Sequence, residues 1–256
     1  MTILPTIDDV DYCSRQVLLP QPTYGLMIND QNTYSDTRLD DRIKESCKTQ
    51  PLDWHYRTKK VTYNLNKDFY RCPEWELINW TESIVLFGCS FAYCIGVPDD
   101  ETIAFYLENL LGRPVVNLGL PGTGPLYAFQ NQVIARNIFP LPHAVVNMWS
   151  CPYRIHEFID STSPAHYSVG HDSRLSFPAA WGKSIMNPVM HSYFGIKAAE
   201  SLWSSTKYVS TSTWLPIDRN TVHLADCNLD YAADLAHFGP VSNRMLAERL
   251  AELIKI

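Results

Sequence analysis

Three short blocks of the sequence hold residue types suited to acyl transfer. The first is Phe87-Gly88-Cys89-Ser90-Phe91-Ala92. An apolar run precedes it, so Ser90 falls at a strand-to-helix turn. There its hydroxyl can project over a sheet edge, and its own N–H can face a developing oxyanion. The block is not the Gly-x-Ser-x-Gly elbow, because Ala92 stands at the second glycine. Taken alone, Ser90 reads better as a turn or helix-capping residue. The second block is Asp234-Leu-Ala-His237, in which His237 alone of the eight histidines follows an aspartate by three residues. In a turn, that spacing lets the carboxylate receive Nδ1–H while Nε2 reaches a serine hydroxyl. Taken alone, the pair also reads as a loop cap beside a half-buried histidine. The third block is Asn117-Leu-Gly119-Leu-Pro-Gly122-Thr-Gly124. Its glycines let backbone amides approach a reacting oxygen, or simply form a strand-to-helix turn. It matches neither the dinucleotide fingerprint nor a Walker A loop, and Pro121 removes a donor, which argues against nucleotide binding.

These blocks act together only if the scaffold brings them to one edge. Ser83-Ile-Val-Leu-Phe-Gly88 is the apolar run of a buried parallel strand. A helix is expected over 100–111, with Ile103, Leu107, Leu110 and Leu111 on one face. Strands are expected at 114–118, 143–149 and 208–214, and helices at 125–137 and 190–205. The stretch 151–160 reads as a short helix, and 161–188, rich in Ser, Pro, Gly and His, as a long loop. A last helix follows Gly239-Pro240, where proline suits the first helical position. Its stripe is Leu246, Leu250, Leu253 and Ile254. Alternating strands and helices imply a parallel sheet covered on both faces, with ligands at the carboxyl ends of the strands. Chemistry should therefore cluster after residues 88, 119, 149 and 214.

Composition narrows the function classes. The 256 residues are 46% hydrophobic with a net charge of −6. Such a chain can bury a core and is poorly suited to neutralising phosphates, so no nucleic-acid partner is expected. No apolar stretch is long enough to span a bilayer, and the first residues lack the pattern of a signal peptide. Neither a membrane partner nor secretion is expected; the location expected is the cytoplasm. Seven cysteines without a Cys-x-x-Cys pair argue for reduced, mostly buried thiols and against structural zinc. Residues 1–80 read as an irregular, aromatic-rich extension with six tyrosines and with Trp54, Trp75 and Trp80. Within it Val61-Thr-Tyr-Asn-Leu alternates like a strand. Residues 81–256 read as the main domain.

With these blocks in view, the chain resembles the SGNH hydrolases, the GDSL-type esterase and lipase superfamily. Gly88-Cys89-Ser90-Phe91 matches the family's first block, with Cys89 where Asp is common. Asn117-Leu-Gly119-Leu-Pro-Gly122 matches the second, and Asp234-Leu-Ala-His237 the last. The start of the final helix, Gly239-Pro240-Val-Ser-Asn243, is also similar. The resemblance covers residues 83–256. It implies a three-layer α/β/α sandwich with a central parallel sheet, flavodoxin-like, plus the N-terminal extension. It also implies hydrolysis through an acyl-enzyme, with Ser90 as nucleophile, His237 as base and then acid, and Asp234 orienting it. The N–H groups of Ser90 and Gly122 would be oxyanion donors. No metal or organic cofactor is needed.

One departure concerns the third donor. The family supplies an Asn side chain after the third strand, where this chain reads Asn147-Met-Trp149-Ser150-Cys151-Pro152-Tyr-Arg154. Cys151 takes the asparagine position, and a thiol is a weak donor. Asn147 falls too early, inside the strand; Ser150 and Arg154 are the other candidates. The Trp-Ser-x-x-x-Arg variant is similar to a branch seen among phage-encoded members. His166, His171 and Asp172 read as a solvated loop rather than a metal site. Trp149, Trp181, Trp203 and Trp214 read as core, or as the lining of a sugar cleft. Arg57-Thr-Lys-Lys60 reads as a solvated turn.

The function expected is a serine esterase acting on an O-acyl ester, with an O-acetyl carbohydrate as the substrate that the resemblance favours. The alternative is a weak or inactive SGNH-fold module for binding or assembly. In that case it would be virion-associated and would dock, or self-associate, through residues 1–80.

Overall fold

A computed structural model describes residues 26–30, 33–152, 154–158, 164–168, 186–212 and 222–255. The side chains of 26–30, 33, 35–38, 155–158, 164–168, 186–188, 191, 222 and 225 lie outside the description.

The described residues begin with an antiparallel sheet of β1 (Leu26–Asp30), β2 (Thr33–Asp36) and β3 (Tyr63–Asn64). Helix α1 (Thr37–Ser46) follows β2. Sequence reading gave this region no helix. Its only apolar signal is Leu39 and Ile43, one turn apart, which is too little to stand out. The alternation read at 61–65 is present: Val61, Tyr63 and Leu65 are buried and Asn64 is exposed.

The central sheet is wholly parallel. It contains β4 (Ile84–Gly88), β5 (Val115–Gly119), β6 (Ala144–Trp149), β9 (Lys207–Ser212) and β10 (Val222–His223). Its order is β10-β9-β6-β4-β5. Counting within this sheet alone, that is the 2-1-3-4-5 order of doubly wound flavodoxin-like folds. The three strands β4, β5 and β6 are buried along their whole length, as their largely apolar runs require. Ile84, Leu86, Val146 and Met148 belong to the core on one face, and Val85, Phe87, Val116 and Val145 to the core on the other.

Helices α3 (Ile103–Leu111) and α6 (Pro240–Lys255) cover the first face. Thr102 Oγ1 starts α3 by accepting from Phe105 N–H at 3.1 Å, and Gly112 ends it with φ 62°. Leu246, Leu250 and Ile254 seat α6, each burial contributing about 1.5–3 kcal/mol. Helix α4 (Pro125–Ile138) covers the second face through Tyr127, Ile134 and Ala135. Helix α5 (Met186–Leu202) packs beside α4. A four-residue helix, α2 (Ser90–Tyr93), lies between β4 and α3.

The short helix expected at 151–160 is not formed. Residues 154–158 are strand β7 (Arg154–Phe158), paired antiparallel with β8 (Pro164–Ser168), inside the stretch read as loop. Five residues without a sustained period carry little local preference, and a cross-strand partner decides the outcome. The two-residue β10 likewise has no periodic signal in the sequence.

Candidate active site

Ser90 owes its position to two glycines. Gly88 has φ 148°, and a Cβ there would meet the Met148 carbonyl oxygen at 2.6 Å. At Gly119 a Cβ would meet Tyr93 N at 2.5 Å. The Ser90 turn therefore lies directly on the ends of β5 and β6. Asn117 fastens it from β5: its Nδ2–H donates to the Ala92 carbonyl at 2.8 Å, and its Oδ1 accepts from Gly119 N–H at 2.9 Å. Ser90 thus sits where β4 is flanked by strands reached by connections in opposite directions, the switch point where such sheets bind ligands.

The Asp234–His237 loop is built as locally. Asp234 Oδ1 accepts from the N–H groups of Ala236 and His237, each at 3.1 Å, an Asx-type turn. Leu235 takes the left-handed conformation, φ 56°. The loop closes through Ala232 N–H to the His237 carbonyl at 2.9 Å. Beyond it, Asp230 accepts from the N–H groups of Val241 and Ser242 at 3.1 and 2.8 Å. These are orphan amides of the first turn of α6.

The two pieces meet. His237 Nδ1 lies 2.6 Å from Asp234 Oδ2, and Nε2 lies 2.8 Å from Ser90 Oγ. A carboxylate only accepts, so Nδ1 carries the proton and Nε2 is free to accept the serine hydroxyl. The Asp234 side chain is only 2% exposed and that of His237 17%. Burial opposes the Asp234 charge, but the hydrogen bond from His237 and the two backbone N–H groups outweigh it, so its pKa lies below the usual aspartate value. The Phe91 ring stands 4.9 Å from the imidazole, centroid to centroid. Neutral imidazole beside a buried carboxylate can take a proton from Ser90 and return it to a leaving group.

The other site candidates fall as follows. Gly122 is exposed in the turn after β5, with φ 77°. Ser150 is 5% exposed, and among the described residues its Oγ has no hydrogen-bond partner. Met148 pairs laterally with Gly88, and Ser150 and Ser90 each stand two residues beyond that pair. Cys151 and Arg154 are half-buried. The Arg154 backbone presses on Gly124, where a Cβ would collide with its carbonyl oxygen. Asn147 is buried within β6.

Trp149 and Trp203 are core residues, their indole N–H groups donating to Ser210 Oγ at 2.9 Å and Gln132 Oε1 at 3.0 Å. His171, Asp172, Trp181 and Trp214 lie outside the described residues, as does the side chain of His166. Arg57 is not merely solvated: it donates to the carbonyls of Cys47, Gln50 and Pro51 just after α1. Sequence reasoning gave no role to Phe91, Asn117 or Asp230. Asn117 and Phe91 stood inside blocks already singled out; Asp230 carried no signal of its own.

The sequence matches no protein-family profile and no curated protein. Among solved structures it is similar to a Desulfitobacterium hafniense protein assigned to the G-D-S-L family of lipolytic proteins. Identity there is 13% and the TM-score 0.41, over 68% of this chain and 99% of that one. It is also similar to a carbohydrate esterase family 2 enzyme with a carbohydrate-binding domain from Corynascus thermopiles (Myceliophthora fergusii). Identity is 11% and the TM-score 0.41, over 68% and 65% of the two chains. A carbohydrate acetylesterase from Sinorhizobium meliloti shows 11% identity and a TM-score of 0.33, over 68% and 99%. These likenesses are remote, and the chemistry rests on the side-chain geometry above.

Proposed function

We propose that the protein is a serine ester hydrolase of the SGNH type. The observation that supports this most is the closed relay from Ser90 Oγ through His237 to Asp234, at 2.8 and 2.6 Å, between residues 147 positions apart in sequence. Ser90 Oγ attacks the ester carbonyl as His237 Nε2 takes its proton. Asp234 stabilises the imidazolium without itself being protonated. The oxyanion is met by the N–H groups of Ser90 and Gly122. We assign the third donor to the Ser150 hydroxyl, which is buried, has no hydrogen-bond partner among the described residues, and lies level with Ser90 across the β4–β6 pairing. The imidazolium then gives its proton to the leaving alkoxide, and water, activated by His237, releases the acid. The substrate class proposed from the sequence resemblance is an O-acetyl ester of a carbohydrate.

Hydrolysis of p-nitrophenyl acetate by wild type and Ser90→Ala tests the reading. Loss of about 10³-fold or more in kcat, with fluorophosphonate labelling confined to Ser90, is expected. Equal slow rates and no label would overturn it. A screen of acetyl, butyryl and longer esters, with acetylated sugars alongside, tests the substrate class.

A second reading follows from Cys151. Without an amide donor there, loss of one oxyanion contact can cost about 10²–10³ in rate. A non-hydrolysing binding or assembly module, virion-associated and docked through residues 1–80, would then hold the same relay. Absent labelling together with stable self-association or partner capture by the full chain would favour it.

A further inference from the structure

We propose that Arg71 and Tyr63, on the segment before the central sheet, are positioning residues that hold the nucleophile turn and the acid–base loop in register. This inference rests on the esterase reading above. The starting observation is that α2 has only four residues, too few to hold itself by its own hydrogen bonds. Its last carbonyls need partners from elsewhere. Arg71 supplies them. Its Nη1 donates to the carbonyls of Tyr93 and Cys94 at 3.0 and 2.8 Å, and its Nη2 to that of Val97 at 2.8 Å. Its Nε donates to Asp99 Oδ1 at 2.6 Å. The Arg71 side chain is 3% exposed. Its guanidinium carbon lies 4.7 Å from the Tyr63 ring centroid and 5.6 Å from that of Tyr93. A cation at the carboxyl end of a helical turn is favourably placed, and the fork geometry serves three carbonyls and a carboxylate at once.

The same loop reaches the other half of the site. Gly96 N–H donates to Tyr63 Oη at 3.1 Å, and the Gly96 carbonyl accepts from Ala233 N–H at 3.0 Å. Gly96 has φ 82°, and a Cβ there would meet Ala232 Cβ at 2.9 Å and Asp234 N at 3.3 Å. One loop, 93–97, is therefore clamped by Arg71 and Tyr63 on one side. On the other it carries Ser90 three residues upstream and touches the residue before Asp234. Asn64 ties the clamp further, donating from N–H and Nδ2–H to Asp99 Oδ2 at 3.0 and 2.7 Å. Neither Arg71 nor Tyr63 touches the reacting atoms. Their effect is to keep Ser90 Oγ within reach of His237 Nε2.

The test uses the full chain with Arg71→Lys and Tyr63→Phe, and Ser90→Ala as control. Lysine keeps the charge but loses the fork; phenylalanine keeps the ring and removes one acceptor. Melting temperature and near-UV circular dichroism establish which variants are folded. For folded Arg71→Lys we expect kcat on p-nitrophenyl acetate, and the rate of fluorophosphonate labelling, to fall about 10–100-fold with KM within about twofold. Tyr63→Phe should lower both about threefold, on the same positioning argument. A merely stabilising role would lower the melting temperature and leave rates per folded molecule unchanged, which overturns the inference. If Arg71→Lys does not fold, Tyr63→Phe decides. If wild type neither hydrolyses nor labels, the esterase reading fails. The inference is then decided by the low-field proton resonance of His237 Nδ1–H. A shift in Tyr63→Phe supports positioning, and coincident spectra overturn it.

Discussion

Asp234 carries a charge that its burial opposes and its hydrogen bonds hold. Because its pKa is lower in the folded protein than in the unfolded chain, its contribution to stability is present above the unfolded value. It is lost as pH falls through the folded one. Urea unfolding of wild type and Asp234→Asn should therefore converge as pH falls below about 4 and differ above it. On the proposed esterase reading, the same substitution should lower kcat by about 10³–10⁴ at neutral pH, since asparagine no longer fixes the Nδ1–H tautomer. A different residue shows the opposite electrostatics. Burial pushes the Cys94 thiol up to about 11, although Arg71 opposes this. Only about 10⁻³ of it is thiolate at pH 8. Iodoacetamide at that pH should leave Cys94 unmodified in the folded protein and modify it in urea, as peptide mass mapping would show.

At the scale of elements, the site depends on how closely the ends of β4, β5 and β6 meet α2. The strand-to-helix placement of Ser90 and the Asp234–His237 spacing were legible because each is a local pattern at a fixed offset. What was not legible was the closeness: Gly119 reads as an oxyanion-loop glycine, yet its lack of a side chain is needed where Tyr93 N passes. Gly119→Ala should cost about 1–3 kcal/mol in urea denaturation, because backbone rather than a flexible side chain must move. It should also slow labelling of Ser90. The strand at 154–158, expected as helix, differs for a related reason. Its conformation is set by pairing with 164–168, and no periodicity within the segment records that partner.

At the scale of the whole molecule, the boundary that composition draws near residue 80 crosses a shared core. Tyr34, Leu39, Tyr56, Tyr63 and Leu65 belong to the same cluster as Ile84, Leu107, Leu246 and Leu250. Leu250→Ala, in α6, should destabilise by about 2–5 kcal/mol, read from the midpoint of urea unfolding. A substitution at Leu52, 92% exposed, should stay within about 0.5 kcal/mol. Far-UV and tyrosine signals should show one coincident transition, since Tyr34, Tyr56 and Tyr63 lie in the core that the sheet and α6 also build. Among the described residues no helix is long and apolar enough to cross a membrane.

By itself the sequence determined the alternation of strands and helices, both faces of the parallel sheet, and the identity of Ser90, Asp234 and His237 as residues suited to one chemistry. Those are properties of periodicity and short spacing, which a linear chain displays directly. The tertiary structure alone decided that Ser90 Oγ and His237 Nε2 stand 2.8 Å apart, and that Arg71 and Tyr63 clamp the loop between them. Such contacts join residues tens to more than a hundred positions apart. Their distances follow from how the sheet, the helices and the first segment pack, and no local pattern encodes that sum.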